Sequence, residues 1–419
     1  MTAMPELRDL RDVDAADVYK AGRLAGHLRR GTDDTVEFSY EPAYLDDLDT
    51  VDVAFSLPKV STPAQATAGS LPPFFSGLLP EGVRLAALTR AARTSVDDHL
   101  TLLLAVGADV IGDVQVVPSR VSPQEPPVLF DPARAAEEDF AEVFARAASG
   151  DTRDVDRIAL PGVQVKVSSA MLSTPLRTTA GPALLKLDPP EYPHLVANEH
   201  FFLRMAQDCR IPVPRHELVY DGQGRAGLLV ERFDRVPTGR DRVPRRLAQE
   251  DACQVMGRYP AAKYRLRLQD VVGALGTAVA AGGGSRPLAI RRVLEIAVFS
   301  YVIGNGDLHG KNLSIRQDAQ GLWEITPAYD LISTQPYLGW NDPMALPFFG
   351  RANRLSRRWW LEAGERLGLP RRAVVTVVER IVQGSHSWLD RVHEIGFDDA
   401  VTTRLRDLLA ARARELTDG

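Results

Sequence analysis

The sequence predicts an α+β protein of two lobes preceded by a smaller β-rich subdomain. Three observations predict this. Residues 150–235 alternate short apolar strand patterns with turn residues and hold one helical segment. From Gln249 onward helical spacing dominates, broken only by one hairpin pattern, Asn312 to Thr326. The first 118 residues mix short apolar runs with turn residues, and Val36-Glu-Phe-Ser-Tyr40 alternates as a half-buried strand does. The chain therefore divides into a β-rich subdomain (1–118), a linker and helix (119–149), a sheet-rich lobe (150–235) and a helical lobe (236–419).

Taken in order, the elements follow from local chemistry. Leu71 to Gly82 is punctuated by proline and glycine and reads as a structured loop. Ser95-Val-Asp-Asp98 is a capping-box start for a helix over Asp97 to Val106, stopped at Gly107. Val114 to Val117 is a strand. Pro118 to Pro132 holds five prolines and is the clearest linker. Ala135 to Ala148 is an amphipathic helix. Leu184-Leu-Lys-Leu187 is a strand with one lysine among apolar neighbours, and Asn198 to Asp208 is a helix ended by Ile211-Pro-Val-Pro214. Gly227 to Asp234 is a strand running into a polar segment. Val293 to Ile303 is an apolar helix, Gly282-Gly-Gly284 a break, and Arg371 to Leu389 and Asp398 to Leu416 are amphipathic helices.

Composition excludes several classes. The chain has 419 residues, 45% apolar and 25% charged, which is ordinary for a globular protein. A net charge of -5 argues against a surface built throughout to coat nucleic acid. The two cysteines, Cys209 and Cys253, form no metal-spaced cluster and no disulfide framework. Met1 to Leu10 is no signal peptide, and no window reaches the roughly 18 apolar residues of a membrane helix. A cytoplasmic protein with no membrane partner is the expectation.

Chemistry concentrates in Val302 to Ile315. An apolar helix leads into a polar loop carrying Asp307, His309, Lys311 and Asn312 within six residues, and an alternating strand follows. The Asp307-to-Asn312 spacing, D-x-x-x-x-N, is that of a protein-kinase catalytic loop. There the Asp orients the acceptor hydroxyl and the Asn holds magnesium. Asp330 would supply the other ligand, since Mg²⁺ takes one or two protein oxygens beside phosphates and waters. Lys186 would pair with the α/β-phosphates of ATP, with Glu199 as its ion-pair mate. Leu160 to Lys166, through Gly162, Val163, Gln164 and Lys166, would cover the phosphates. Glu231 to Asp234, chiefly Glu231 and Phe233, would offer a hinge to adenine. His309 and Lys311 would support the loop or the γ-phosphate.

Each residue has a plainer reading. Asp307 fits a turn-capping Asp, Asp330 a cap for a helix starting at Leu331, Asn312 a strand start, Lys186 an edge-strand lysine facing solvent, and Glu231 to Asp234 a simple strand end. One glycine in Leu160 to Lys166 matches neither established phosphate-loop pattern. Arg351, Arg354, Arg357, Arg358, Arg371 and Arg372 fit solvated surface better than a phosphate-binding face. The set of motifs favours phosphoryl transfer; the single residues do not.

Together these motifs resemble the HipA toxin kinases of type II toxin–antitoxin systems. The resemblance rests on Phe75 to Gly82, Val106 to Gln115, Leu160 to Lys166, Asn198-Glu199, Ile211 to Pro214, Val230 to Arg235, Arg246 to Gln254, Gly304 to Asn312 and Pro327 to Asp330. It implies a two-lobed, protein-kinase-like fold and a serine/threonine protein kinase using ATP and Mg²⁺. It implies a protein substrate in translation, such as an aminoacyl-tRNA synthetase. It also implies a small helix-turn-helix antitoxin (HipB-like) through which operator DNA is bound and the operon co-repressed. Where some members carry an autophosphorylated serine before the phosphate-side loop, this chain has Ala159, with Ser168 and Ser169 beyond the loop. The residues alone leave two alternatives, a small-molecule kinase and a non-catalytic subunit of a repressor complex.

Overall fold

The structure is a computed structural model and describes residues 4–124, 132–149, 171–178, 181–236, 238 and 243–417. The expectations placed on Gly162, Val163, Gln164 and Lys166, and on Ala159, Ser168 and Ser169, lie outside these residues.

The N-terminal unit is a five-stranded antiparallel sheet in the order β4-β3-β2-β1-β5. Its strands are β1 (Ala15–Lys20), β2 (Arg23–Arg30), β3 (Val36–Tyr40), β4 (Ala64–Ala66) and β5 (Val114–Pro118). Alternation puts Val36, Phe38 and Tyr40 inward, where Phe38 meets Phe75 at 5.1 Å between ring centroids. The helices Gly82–Ala92 and His99–Val106 close this core. Asp98 caps the second by accepting from the Thr101 N–H, so the helix begins at His99 rather than Asp97. Leu71 to Gly82 is not all loop: Pro73–Gly77 is a short helix, its early proline costing no hydrogen bond.

The sheet-rich lobe is antiparallel, in the order β6-β7-β9-β8: β6 (Leu172–Thr178), β7 (Gly181–Leu187), β8 (His216–Tyr220), β9 (Ala226–Glu231). Ala183, Leu185 and Leu187 face one side with Leu229 and Phe140. Phe140 opens a helix to Ser149; the stretch Pro132–Glu137 before it is a 3-10 turn, so the expected helix starts later than Ala135. The opposite face of β7 carries Leu184 and Lys186, and the helix Leu195–Asp208 packs on that side.

The rest is α-helical around one small sheet. Short strands β10 (Arg235–Val236) and β11 (Arg245–Arg246) pair with each other, and β12 (Gln249–Asp251) adds to the hairpin of β13 (Ser314–Gln317) and β14 (Trp323–Ile325). The helix Arg286–Ile303 is buried over its last eleven residues, which explains its lack of a polar face. Helices Leu268–Ala281, Arg357–Arg366, Arg371–His386 and Asp399–Thr417 surround it. The class is α+β, as the sequence predicts. No helix among the described residues is long and apolar enough to cross a membrane.

Buried charge joins the N-terminal unit to the end of β9. Asp109 accepts from Arg232 (2.9 Å), Arg235 (2.5 Å) and Arg246 (2.9 Å), and Asp234 accepts from Arg232 and Arg235. Gly112 completes the contact by donating its N–H to Asp234 at 3.0 Å, with φ +89° that only glycine adopts easily. Burial opposes the charge on Asp234, but Arg232 and Arg235 hold its carboxyl well below the usual range. Removing one carboxylate leaves buried guanidinium groups uncompensated. Asp109→Ala is therefore expected to lower unfolding free energy by about 3–5 kcal/mol, read from the urea midpoint.

A second carboxyl at this junction behaves oppositely. Glu250 on β12 is buried, accepts from the Phe55 N–H at 3.0 Å, and has its other oxygen unpartnered. Burial pushes its pKa up to about 8. The folded protein thus binds this proton more tightly than the unfolded chain does. Its stabilising effect is complete below pH about 4.5 and is lost as pH rises through about 8. Glu250→Gln should match wild type in thermal midpoint near pH 4.5, exceed it increasingly up to about pH 8, and hold that margin above it.

Candidate functional site

A cleft opens between the sheet-rich and helical lobes. Lys186, Glu231, Phe233, His309, Lys311, Asn312 and Asp330 all line it. Lys186 and Asp330, 144 positions apart in sequence, meet there.

Lys186 is set by strand alternation and register. It sits on the cleft face of β7 opposite Leu228 of the interior strand β9, so it is no edge-strand lysine. Two residues on, Asp188 accepts from the His194 and Val196 N–H groups at 2.9 and 2.8 Å. A carboxylate at a helix start satisfies orphan donors and suits the dipole. It fixes where Leu195–Asp208 begins, and so places Glu199 one turn in. The Lys186 ammonium donates to both Glu199 oxygens, at 2.7 and 2.8 Å, and to Asp330 at 2.5 Å. The Lys186 and Glu199 side chains are 7% and 1% exposed, whereas Asp330 is 29% exposed toward the cleft. Burial works against the lysine's charge, but Asp330 and Glu199 outweigh it and hold its pKa above the ordinary value.

Asp330 is not a helix cap: no helix follows among residues 331–334. Its backbone is left-handed, φ +53°, which is uncommon outside glycine and asparagine. The backbone around it is held on both sides. The Asn305 side chain donates to the Asp330 carbonyl at 3.3 Å, and Asn198 exchanges two hydrogen bonds with Ser333 at 3.0 and 2.9 Å. A strained backbone over-determined by its surroundings is common where a side chain is aimed for function.

The loop Asn305 to Asn312 is buried and internally tied. Asn305 accepts from the Asp307 N–H at 2.8 Å, and the His309 N–H donates to the Asp307 carbonyl at 2.8 Å. The Asn312 amide N–H donates to that same carbonyl at 3.0 Å, which leaves its oxygen as the atom to offer elsewhere. The Asp307 carboxylate accepts from the Tyr264 hydroxyl at 2.6 Å and does not line the cleft. His309 accepts the Lys311 N–H through Nδ1 and meets Tyr264 edge-on at 4.9 Å. The Lys311 ammonium bridges β12 and the N-terminal unit: it donates to Asp251 at 2.7 Å and to the Gly77 carbonyl at 2.9 Å, with Glu81 at 3.7 Å. Its place in the fold is support of the loop. Lys263, also buried, pairs with Glu81 at 3.1 Å.

At the hinge, β9 ends at Glu231. The Phe233 carbonyl already accepts from Arg316 at 2.6 Å, whose guanidinium lies over the Phe233 ring. Phe233 thus presents its ring, 5.7 Å from that of Tyr329, and not that carbonyl. The arginines of the helical lobe are engaged on the surface: Arg357 with Glu379, Arg358 with Glu362, Arg371 with Glu365, and Arg351 over Trp359.

The donor set available to a metal is oxygen only, the Asn312 amide oxygen and the Asp330 carboxylate, both at the cleft wall. That suits Mg²⁺, which takes few protein ligands and completes its shell from phosphate and water. Among the described residues no group of three or more His, Cys, Asp or Glu is arranged to hold a metal ion.

Sequence reasoning missed Tyr264, Asn305, Asn198, Glu81 and Asp251 as parts of the site. Asp251 and Gln254 did carry a signal, since they form a reciprocal capping box at positions readable as D-x-x-Q. Tyr264 carried none.

Comparison with known proteins agrees in extent with this geometry. The HipA N-terminal domain family matches residues 16–117 and the HipA-like C-terminal domain family residues 158–389. Y4mE of Sinorhizobium fredii is 30% identical over 423 residues, covering 96% of this chain and 98% of the relative. The serine/threonine-protein kinase toxin HipA of Shewanella oneidensis is 27% identical over 350 residues, 78% of each chain. The solved Shewanella oneidensis structure of HipA with HipB and its operator DNA has the same fold, with a TM-score of 0.72 at 21% identity, covering 95% of this chain and 96% of that one.

The ion pair gives a test independent of activity. Glu199→Ala leaves a buried ammonium with Asp330 alone, and an expected loss of about 3–5 kcal/mol follows, measured by chemical denaturation. The double variant Lys186→Met, Glu199→Gln should recover most of that loss.

Proposed function

Because the chain belongs to the HipA kinase family, we propose that it is an ATP-dependent serine/threonine protein kinase acting with Mg²⁺. One observation carries the reading: Lys186, held by Glu199, reaches Asp330 across a cleft whose other wall is Asn312. Phosphoryl transfer needs positioning and charge cancellation more than covalent chemistry. Lys186 brings a fixed positive charge to the cleft. Phe233 and the end of β9 would receive the adenine. Asn312 and Asp330 would hold Mg²⁺, which neutralises triphosphate charge when bound. Asp307 offers its carboxylate to the acceptor hydroxyl, orienting it and taking its proton. Lys311 and His309 keep the loop in place for this.

By analogy with the Shewanella complex, a small HipB-like helix-turn-helix antitoxin is the proposed partner, with operator DNA reached through it in a repressing complex. A translation component such as an aminoacyl-tRNA synthetase is the proposed acceptor class.

The test uses purified protein, Mg²⁺, γ-labelled ATP and a cell lysate. Label should enter a protein band. Asp307→Ala should cut transfer by roughly 10²–10⁴-fold, about 3–5 kcal/mol of transition-state stabilisation, with an unchanged circular dichroism spectrum. Label in a soluble metabolite would replace this reading with a small-molecule kinase. Absence of ATP turnover would leave a non-catalytic subunit.

A further inference from the structure

The acceptor side of Asp307 is occupied by the protein itself. Asp307 is 1% exposed and stands outside the cleft that His309, Lys311 and Asn312 line. Tyr264, half-buried, donates its hydroxyl to one Asp307 carboxylate oxygen at 2.6 Å. An acceptor serine or threonine would make the same bond, an aliphatic O–H donated to that carboxylate. Tyr264 sits in the short connection between the turn Pro260–Ala262 and the helix starting at Leu268, not within a helix. That connection is also tied to the Asn305 to Asn312 loop through its backbone, where the Gly310 N–H donates to the Lys263 carbonyl at 3.1 Å. Burial and the charges of Asp307, Glu81 and Asp342 push the Tyr264 pKa up, so the hydroxyl stays protonated and remains a donor.

We propose that Tyr264 is a gate: its hydroxyl stands in for the acceptor hydroxyl on Asp307 and is displaced only when an acceptor docks. This rests on the kinase reading and adds to it a device that keeps water from Asp307 while ATP is bound. The Tyr264 phenol is a poor acceptor here because Tyr264 does not line the cleft in which the nucleotide would sit. Opening the gate requires the 263–267 connection to swing, with the Lys263–Glu81 pair as its restraint.

Two readouts test the gate. The first is ATP hydrolysis, with water as the acceptor. Tyr264→Phe removes the latch but keeps the ring, and kcat should rise on the order of tenfold, the worth of a hydrogen bond to a charged acceptor, with KM for ATP unchanged. The second does not depend on activity. Carbodiimide coupling of glycine ethyl ester to Asp307, read by peptide mass spectrometry, should be at least about tenfold faster in Tyr264→Ala than in wild type. A fall in kcat for the Phe variant would make Tyr264 a positioning residue and overturn the gate. Equal labelling of Asp307 in wild type and Tyr264→Ala would overturn it as well. If no variant turns over ATP, the kinase reading fails while the labelling still decides whether Tyr264 shields Asp307.

Discussion

The site depends on one buried ion pair, Lys186 with Glu199. Taking two charges out of water costs several kcal/mol each, and only close geometry with further hydrogen bonds offsets it. Here the ammonium uses all three donors on carboxylate oxygens, two of Glu199 and one of Asp330. Strand alternation supplies the lysine, and Asp188 at the helix start supplies the phase that brings Glu199 to it. The pair thus joins the sheet, the helix and the segment bearing Asp330 at one atom. A cationic centre of this kind cannot relax toward solvent, which is what the proposed phosphoryl transfer would require.

The N-terminal unit is a working wall of the cleft. Gly77, Leu78, Glu81, Val83, Arg84 and Ile111 line it. Gly77 lies so close to Gln254 that a Cβ would stand 2.7 Å from that side chain, and its carbonyl accepts from Lys311. Glu81 and Asp251 neutralise Lys263 and Lys311 beneath the catalytic loop. The buried arginine–aspartate cluster at Asp109 and Asp234 locks the same unit to the hinge. The Asn305 to Asn312 loop therefore rests on one carboxylate of its own lobe, Asp251, and one from the N-terminal unit, Glu81.

Much of this was legible in the sequence. The D-x-x-x-x-N loop, the lone lysine in an apolar strand and the aspartate at 330 are short-range patterns, and the fold brings Asn312, Lys186 and Asp330 to one cleft while Asp307 stands outside its lining. Lys186 was ambiguous because period-2 facing does not say which face is buried; the register with β9 decides it. The helix Gly82–Ala92 and the short helix at Pro73 were hidden by proline and glycine, which punctuate loops and helix starts alike. Tyr264 and Glu81 were invisible because their partners lie 43 and 182 residues away, and nothing local marks a residue whose role is set by such a contact.

Asn198 and Glu199 are neighbours on one helix, yet they hold different things. Asn198 clasps the backbone of Ser333, three residues past Asp330, while Glu199 clasps Lys186. Both grips ride on a single rigid rod. Any rotation of that rod shifts the lysine and the loop bearing Asp330 in concert, so the spacing between cation and carboxylate is preserved while their common position changes. One helix thus carries both the partner of the cleft's cation and a clasp on the segment beside its carboxylate.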